Sequence, residues 1–274
     1  MTKKFAVLGD PVAHSKSPQM HAAAYRALGL DCTYEAIHVK SEDLRFVVES
    51  LRRGEFDGFN VTVPHKRRIL ELVDVVEPSA SRIGAANTLV RSFDGDITAH
   101  NTDVPALATE LARLAPERTA EEWHASTAIV LGAGGAAASA IAALENDLGV
   151  RRVVVRARRG AEPLVPSSDE RSALTVVQCT SAGMDGADPG AGVAAAVGWS
   201  DLPAEAVALD VVYAPRETPF LRAAKERGLR AANGLGMLAR QGALAFMLWL
   251  GGASPYDVML ATIEESTGAG RPGA

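Results

Sequence analysis

The sequence holds only two cysteines, Cys32 and Cys179. Two are too few for a disulfide framework, and neither has a second cysteine at metal-ligand spacing. That usage fits a reducing, cytoplasmic setting. Long apolar runs are also missing: the longest, around residues 243–250, is too short to span a bilayer. Lys3 and Lys4 precede a short apolar run, but Gly9-Asp10-Pro11 breaks it too early for a secretory signal. There is no basic excess. The formal net charge is -5, so nucleic acid is not an expected partner, because binding it needs a basic face to replace condensed counterions. The six histidines do not sit at ligand spacing with an acid, so no metal is expected. No internal repeat of solenoid period is visible.

What the sequence does contain is an ordinary globular composition, with 47% hydrophobic and 22% charged residues over 274 positions. That length suits one large domain or two modest ones with self-sufficient cores. Residues 5–8 read as a buried strand, stopped by Gly-Asp-Pro. Ser17 then caps a helix with Pro18 in its first turn, ended by Gly29. Residues 34–39 alternate as a strand, and Ser41 caps a helix through Leu51. Residues 59–63 form a third strand, followed by a helix over 65–73. Residues 87–91 and 96–99 pair as a hairpin around Phe93-Asp94-Gly95. A helix covers 103–114, and the polar stretch 115–126 marks a boundary.

Beyond it lie a strand at 127–131, a glycine-rich turn, an alanine-rich helix to Leu148 and a strand at 153–155. This is a β-α-β unit with a right-handed crossover. Strands at 174–179 and 206–212, and helices at 218–227, 236–249 and 255–265, complete the pattern. The expected fold class is α/β in two domains. Residues 1–103 with 237–274 form a substrate-binding and catalytic domain, and residues 104–236 form a Rossmann-like, doubly wound dinucleotide-binding domain. The C-terminal helices return to pack on the first domain.

Gly132-Ala133-Gly134-Gly135-Ala136-Ala137 follows a strand and opens a helix, the context a dinucleotide turn requires. Gly132 permits the tight turn, Gly134 lets the backbone approach a pyrophosphate, and Ala137 allows close helix–strand packing. With Gly135 and Ala136, the helix N-terminus offers free N–H groups to phosphate. The end of the next strand selects the cofactor. An acid there would bind the ribose hydroxyl of NAD, but this chain has Arg156, Arg158 and Arg159. Guanidinium groups suit a 2′-phosphate, so NADP is expected.

Three polar constellations lie in the first half: Asn60-Val61-Thr62-Val63-Pro64-His65-Lys66, Gly84-Ala85-Ala86-Asn87-Thr88, and Asn101-Thr102-Asp103. All fall at strand ends, where ligands collect in open α/β sheets. With the loop His14-Ser15-Lys16-Ser17-Pro18, the run Asp210-Val211-Val212-Tyr213-Ala214-Pro215 and the segment Gly234-Leu235-Gly236-Met237-Leu238 reaching Gln241, they resemble the shikimate dehydrogenase family in order along residues 5–265. Alone, a Lys after Val-Pro-His is most often a solvated helix start, Asp103 an N-cap and Asn87 a turn residue. Six motifs in the family's order reverse that weighting.

The resemblance implies NADP-linked reduction of 3-dehydroshikimate to shikimate, with Lys66 and Asp103 as the acid/base pair. It places Ser15 and Ser17 on the substrate carboxylate, and Thr62, Asn87, Tyr213 and Gln241 around its hydroxyl groups. Thr180 and Gly234 join the cofactor residues. Quinate or an aminated shikimate as substrate remains open, as does a non-catalytic ligand sensor on the same fold, and the chain is a monomer or homodimer. Two departures stand out. The family's Asn-Arg-Thr cofactor turn reads Arg156-Ala157-Arg158, and Gln178 replaces an Asn. The stretch between Arg158 and Gln178 is also short, which predicts a trimmed βα unit, a shallower adenosine pocket and weaker NADP binding.

Overall fold

The computed structural model describes residues 2–157 and 165–268; Arg158 and Arg159 lie outside them. The chain divides into two compact units, one of Met1–Asp103 with Ala239–Ser266, the other built on Val104–Leu238.

The first unit begins with β1 (Lys3–Gly9), α1 (Ser17–Ala27), β2 (Cys32–His38), α2 (Leu44–Arg52) and β3 (Gly58–Val61). It continues through β4 (Val75–Val76), α3 (Pro78–Ser81), β5 (Thr88–Arg91) and β6 (Ile97–His100). The sheet order is β2-β1-β3-β5-β6-β4. β1 is parallel to β2 and β3, whereas β5 runs antiparallel to β3 and β6. Because side chains alternate along a strand, β1 feeds two cores. Ala6 and Leu8 join Leu44, Leu51, Phe59, Ile69 and Leu89 on one face. Phe5 points the other way and stacks on Trp249 with ring centroids 4.7 Å apart. The Trp249 indole donates to Leu89 O at 2.9 Å and lies against Gly58, where any Cβ would collide with the ring.

The second unit holds most of α4 (Asp103–Leu114), then α5 (Ala120–Ala125), β7 (Thr127–Leu131), α6 (Gly135–Ala142) and β8 (Arg152–Arg156). β9 (Ala173–Gln178), α7 (Ala191–Ala195), β10 (Val207–Asp210), α8 (Pro219–Glu226) and β11 (Arg230–Ala232) follow. α9 (Leu235–Leu250) starts in this unit and carries the chain back into the first, where α10 (Tyr256–Gly268) follows it. All pairings in this sheet are parallel, in the order β11-β10-β9-β7-β8. A parallel sheet is covered on both faces, which explains the near-continuous burial of β7, β9 and β10. The order reverses between β7 and β9, so a ligand crevice is expected at their carboxyl ends. Among the described residues β8 is the edge strand, and the described part of its connection to β9 holds a 3-10 turn, Ser168–Ser172.

Several local expectations shift. The helix expected over 65–73 is a series of turns ending in a 3-10 helix, Arg68–Glu71. Only Ile69 of that helix is buried, so no apolar stripe draws a longer α-helix onto the sheet. α2 starts at Leu44 rather than just after Ser41, with Asp43 at its N-cap and no side-chain cap bond. α1 has Lys16 as N-cap, and Ser17 is its first helical residue. Within the expected boundary at 115–126, Thr119 and Glu122 form a reciprocal capping box that nucleates α5. The alanine-rich helix gives way at Ala143–Asp147 to a π-helical turn.

Candidate active site

The first unit brings together side chains from three strand ends. Lys66 lies in the turns after β3, Asn87 immediately before β5, and Asp103 at the start of α4. Backbone bonds fix these segments, with Ala86 N donating to Lys66 O at 2.8 Å and Asn87 N to His100 O at 3.0 Å. The Lys66 ammonium donates to Asp103 Oδ2 at 2.7 Å. Asn87 Nδ2 donates to Asp103 Oδ1 and to Thr102 Oγ1, both at 2.9 Å, and sits 3.5 Å from Gln241 Oε1. Thr102 N returns a bond to Asn87 Oδ1 at 2.8 Å, and Asn101 Oδ1 accepts from Asp103 N at 3.0 Å. The Asp103 side chain is thus 8% exposed and its carboxylate accepts from Lys66 and Asn87, while the Lys66 side chain keeps 24% exposure. A buried carboxylate held by an ammonium and an amide is oriented, and the ammonium keeps an open side toward solvent.

The loop after β1 is also ordered from within. Ser15 Oγ accepts from Ser17 N at 3.2 Å, and the Ser17 side chain is buried. Gly9 lets this loop approach Thr62, since a Cβ there would lie 2.5 Å from Thr62 Cγ2. His65 is buried and its Nε2 bonds Val39 O at 2.6 Å, which ties the turn carrying Lys66 to the end of β2.

In the second unit, Gly132 has φ +119°, in the region that favours glycine, and a Cβ there would crowd Cys179 O at 3.2 Å. Gly134 is the N-cap of α6 and no side chain caps it. Ala133, Gly134 and Gly135 are exposed, Ala136 is half-buried, and space beside Gly134 and Gly135 is open. The unbonded N–H groups of this first turn therefore face an accessible space at the carboxyl end of β7. The loop after β9 lies beside it. Buried Gln178 donates to Ala182 O at 2.9 Å and accepts from Thr180 N, so the longer side chain that replaces Asn spans the loop and holds Thr180. Gly234 is buried against the carbonyl of Val211, which leaves no room for a Cβ. Tyr213, between β10 and α8, is half-buried, and burial raises its phenol pKa.

Arg156 differs from its sequence reading as a phosphate ligand. Its Nη1 and Nη2 bond Glu170 Oε1 and Oε2 at 2.6 and 3.0 Å, and further bonds reach Ala196 O and Ser167 Oγ. Arg156 is 8% exposed and Glu170 fully buried, so this guanidinium is already neutralised inside the fold. Among the described residues no group of three His, Cys, Asp or Glu is placed to hold a metal ion. No described helix is long and apolar enough to cross a membrane. Sequence reasoning passed over Tyr34 and Glu170, and it quoted Thr88 within a motif without giving it a role. Asn60 and Thr102 lay inside the motifs without assigned roles.

Comparison with known proteins places this geometry. A family model for the shikimate dehydrogenase substrate binding domain matches residues 7–89, and one for the shikimate 5′-dehydrogenase C-terminal domain matches residues 234–264. The chain is 43% identical to the shikimate dehydrogenase (NADP(+)) of Thermus thermophilus over 257 residues, covering 90% of this chain and 92% of that enzyme. The crystal structure of shikimate 5-dehydrogenase from Thermus thermophilus in complex with NADP(H) and shikimate superposes with a TM-score of 0.82 at 38% identity, covering 96% of this chain and 99% of that one. A ligand-free 5-ketofructose reductase from Gluconobacter superposes with a TM-score of 0.80 at 28% identity, covering 97% of this chain and 99% of that one, so the fold is shared with an enzyme named for another substrate. Extended identity to enzymes of one name, along nearly the whole of both chains, settles the lineage: the protein belongs to the shikimate dehydrogenase family.

Proposed function

We propose that the protein is an NADP-dependent oxidoreductase that reversibly reduces 3-dehydroshikimate to shikimate, with Lys66 and Asp103 as its proton-handling pair. The observation that carries this reading is the 2.7 Å ion pair between them, with Asn87 donating to the other oxygen of Asp103. Reducing a ketone places negative charge on its oxygen. That charge needs a cation and a proton at hydrogen-bond distance. Lys66 supplies both: the ammonium stabilises the alkoxide and donates its proton to it. Asp103 holds Nζ in place, and the partly exposed Lys66 can regain its proton from solvent. Asn87, Gln241 and Thr62 offer the mixed donors and acceptors that a vicinal diol requires, Tyr213 adds a hydroxyl, and Ser15 and Ser17 offer short hydroxyls to a carboxylate.

The residues present fit a dinucleotide. The uncapped start of α6 and the open space beside Gly134 and Gly135 suit a pyrophosphate. NADPH, when bound, supplies the hydride. Thr180, held by Gln178, and the close-packed Gly234 complete the cofactor side in this reading. With Arg156 committed to Glu170, recognition of the 2′-phosphate falls to Arg158 and Arg159. A cytoplasmic location fits the two free thiols, Cys32 and Cys179.

The test is NADPH oxidation with 3-dehydroshikimate, run beside NADH and, in the oxidative direction, with quinate. Turnover with 3-dehydroshikimate and preference for NADPH are expected. Turnover of quinate alone, or none with either cofactor, would overturn the assignment.

A further inference from the structure

The loop after β9 is stapled by the side chain of the last residue of that strand. Gln178 is fully buried, level with Leu131 of β7 on one side and Asp210 of β10 on the other. Its carbonyl accepts from Val211 N at 3.0 Å, while its side chain turns into the loop. Gln178 Oε1 accepts from Thr180 N, and Nε2 donates to Ala182 O at 2.9 Å. These partners leave one assignment for the amide, because an N–H needs an oxygen and a carbonyl needs a donor. Cys179 N donates to Leu131 O at 2.8 Å, which ties the same loop to β7.

The staple fixes Thr180 beside the glycine turn. A Cβ on Gly132 would lie 3.1 Å from Thr180 Cγ2, so the threonine methyl group closes on that turn. Ala182 N donates to Thr180 Oγ1 at 3.1 Å. That bond occupies a lone pair of the hydroxyl and leaves its single proton unused. Among the described residues no group accepts this proton, and Thr180 is half-buried. A hydroxyl whose accepting side is filled from within its own loop is left to act as a donor. It stands just beyond β9, where the strand order reverses and open α/β sheets bind ligands.

We infer that Gln178 is a positioning residue for the dinucleotide: by holding both ends of the 180–182 turn, it presents the Thr180 hydroxyl as a donor to an oxygen in the part shared by NADPH and NADH. This rests on the reading that the glycine turn binds a dinucleotide. The shared part is favoured by topology. Thr180 follows β9 and packs on Gly132, whereas the arginines assigned to the 2′-phosphate follow β8, on the opposite side of β7. Without Gln178, Thr180 N and Ala182 O lose their partners, and the turn no longer holds the hydroxyl in one place.

The test is calorimetric titration of NADP+ and of NAD+ into the wild type, Gln178→Met, Thr180→Val, Thr180→Ser and the Gln178→Met/Thr180→Val double variant, with steady-state kinetics on 3-dehydroshikimate alongside. Gln178→Met and Thr180→Val should each raise Kd about three- to tenfold, the size of one ordinary hydrogen bond. The rise should be equal for the two cofactors, and KM for 3-dehydroshikimate should change much less. Thr180→Ser keeps the hydroxyl and should bind as the wild type does. The double variant should bind no worse than either single one, because the two residues act as one unit. Additive losses, an unchanged Kd in Thr180→Val, or a loss in Thr180→Ser equal to that in Thr180→Val would overturn the inference. If Gln178→Met does not fold, hydrogen exchange in the cofactor-free wild type decides: the Thr180 and Ala182 amides should exchange slowly, and fast exchange at both would show that no staple holds the turn. A wild type that binds neither cofactor would sink the functional reading, whereas a binding wild type with additive variants would sink only this inference.

Discussion

At the residue scale, the buried groups without partners govern the response to pH. Burial lowers the pKa of His21 from 6.5 to about 3. The unfolded chain therefore binds this proton more readily than the folded one, and stability must fall as pH drops. His21 should leave the first unit fully stable above pH 6.5 and progressively weaker down to about 3. His21→Phe keeps a flat ring against Tyr34 and removes the titration. Thermal melting followed from pH 7 downward should show a shallower loss for the variant than for the wild type. Parallel curves would remove His21 from the acid response. Arg156 makes a second case. Its partner is buried, so Glu170→Gln strands a guanidinium inside the protein, and breaking such a pair costs about 3–5 kcal/mol. Urea unfolding should register that loss. Arg156 is not a phosphate ligand in this account, so Arg156→Lys should leave the ratio of NADPH to NADH activity unchanged, while Arg158→Ala or Arg159→Ala should lower it. A collapse of that ratio in Arg156→Lys would contradict the assignment.

At the element scale, β10 and α8 meet over a buried carboxyl. Asp210 accepts from Val212 N at 2.9 Å and from Thr218 Oγ1 at 2.5 Å, and Thr218 also caps α8. Burial pushes the Asp210 pKa from 3.8 up to about 6 despite those two bonds. The folded state holds this proton more tightly than the unfolded one, so the sign is opposite to that of His21. Asp210 favours the second unit at low pH, and that benefit is lost as pH rises from about 4 to about 6. Asp210→Asn should flatten the second unit's pH dependence across that window, read by hydrogen exchange of amides in β10 and α8. An unchanged slope would show that the carboxyl is ionised throughout.

Much of the element order was legible because glycine and proline punctuate it and because apolar runs at strand spacing are unambiguous in a parallel sheet. The site was legible for a related reason: Lys66, Asn87 and Asp103 each follow or precede a strand end within a fixed motif. Other features had no local signature. Tyr34 in an alternating strand reads as packing, and its hydrogen bond to Asn60 appears only when β2 and β3 flank β1 in the sheet. Arg156 reads as a free cation because Glu170 comes fourteen positions later and meets it only through a turn. The stretch 65–73 misled because charged residues at helical spacing promise a helix that one buried Ile69 does not support.

At the scale of the whole molecule, two features set the enzyme's character. The second unit, which we propose binds the nucleotide, has β8 as the edge strand of its described sheet. The KM for NADPH should lie above that of family members with the full crossover, and a KM as low as theirs would show that the short connection costs no affinity. The second feature is the Lys66–Asp103 pair, which separates an enzyme from a ligand sensor on the same fold, since a sensor needs no proton relay. The most direct measurement is kcat and KM of Lys66→Ala with 3-dehydroshikimate and NADPH. Loss of the group that delivers the proton should lower kcat about 10²–10⁴-fold with KM altered far less. A kcat equal to that of the wild type would contradict the account.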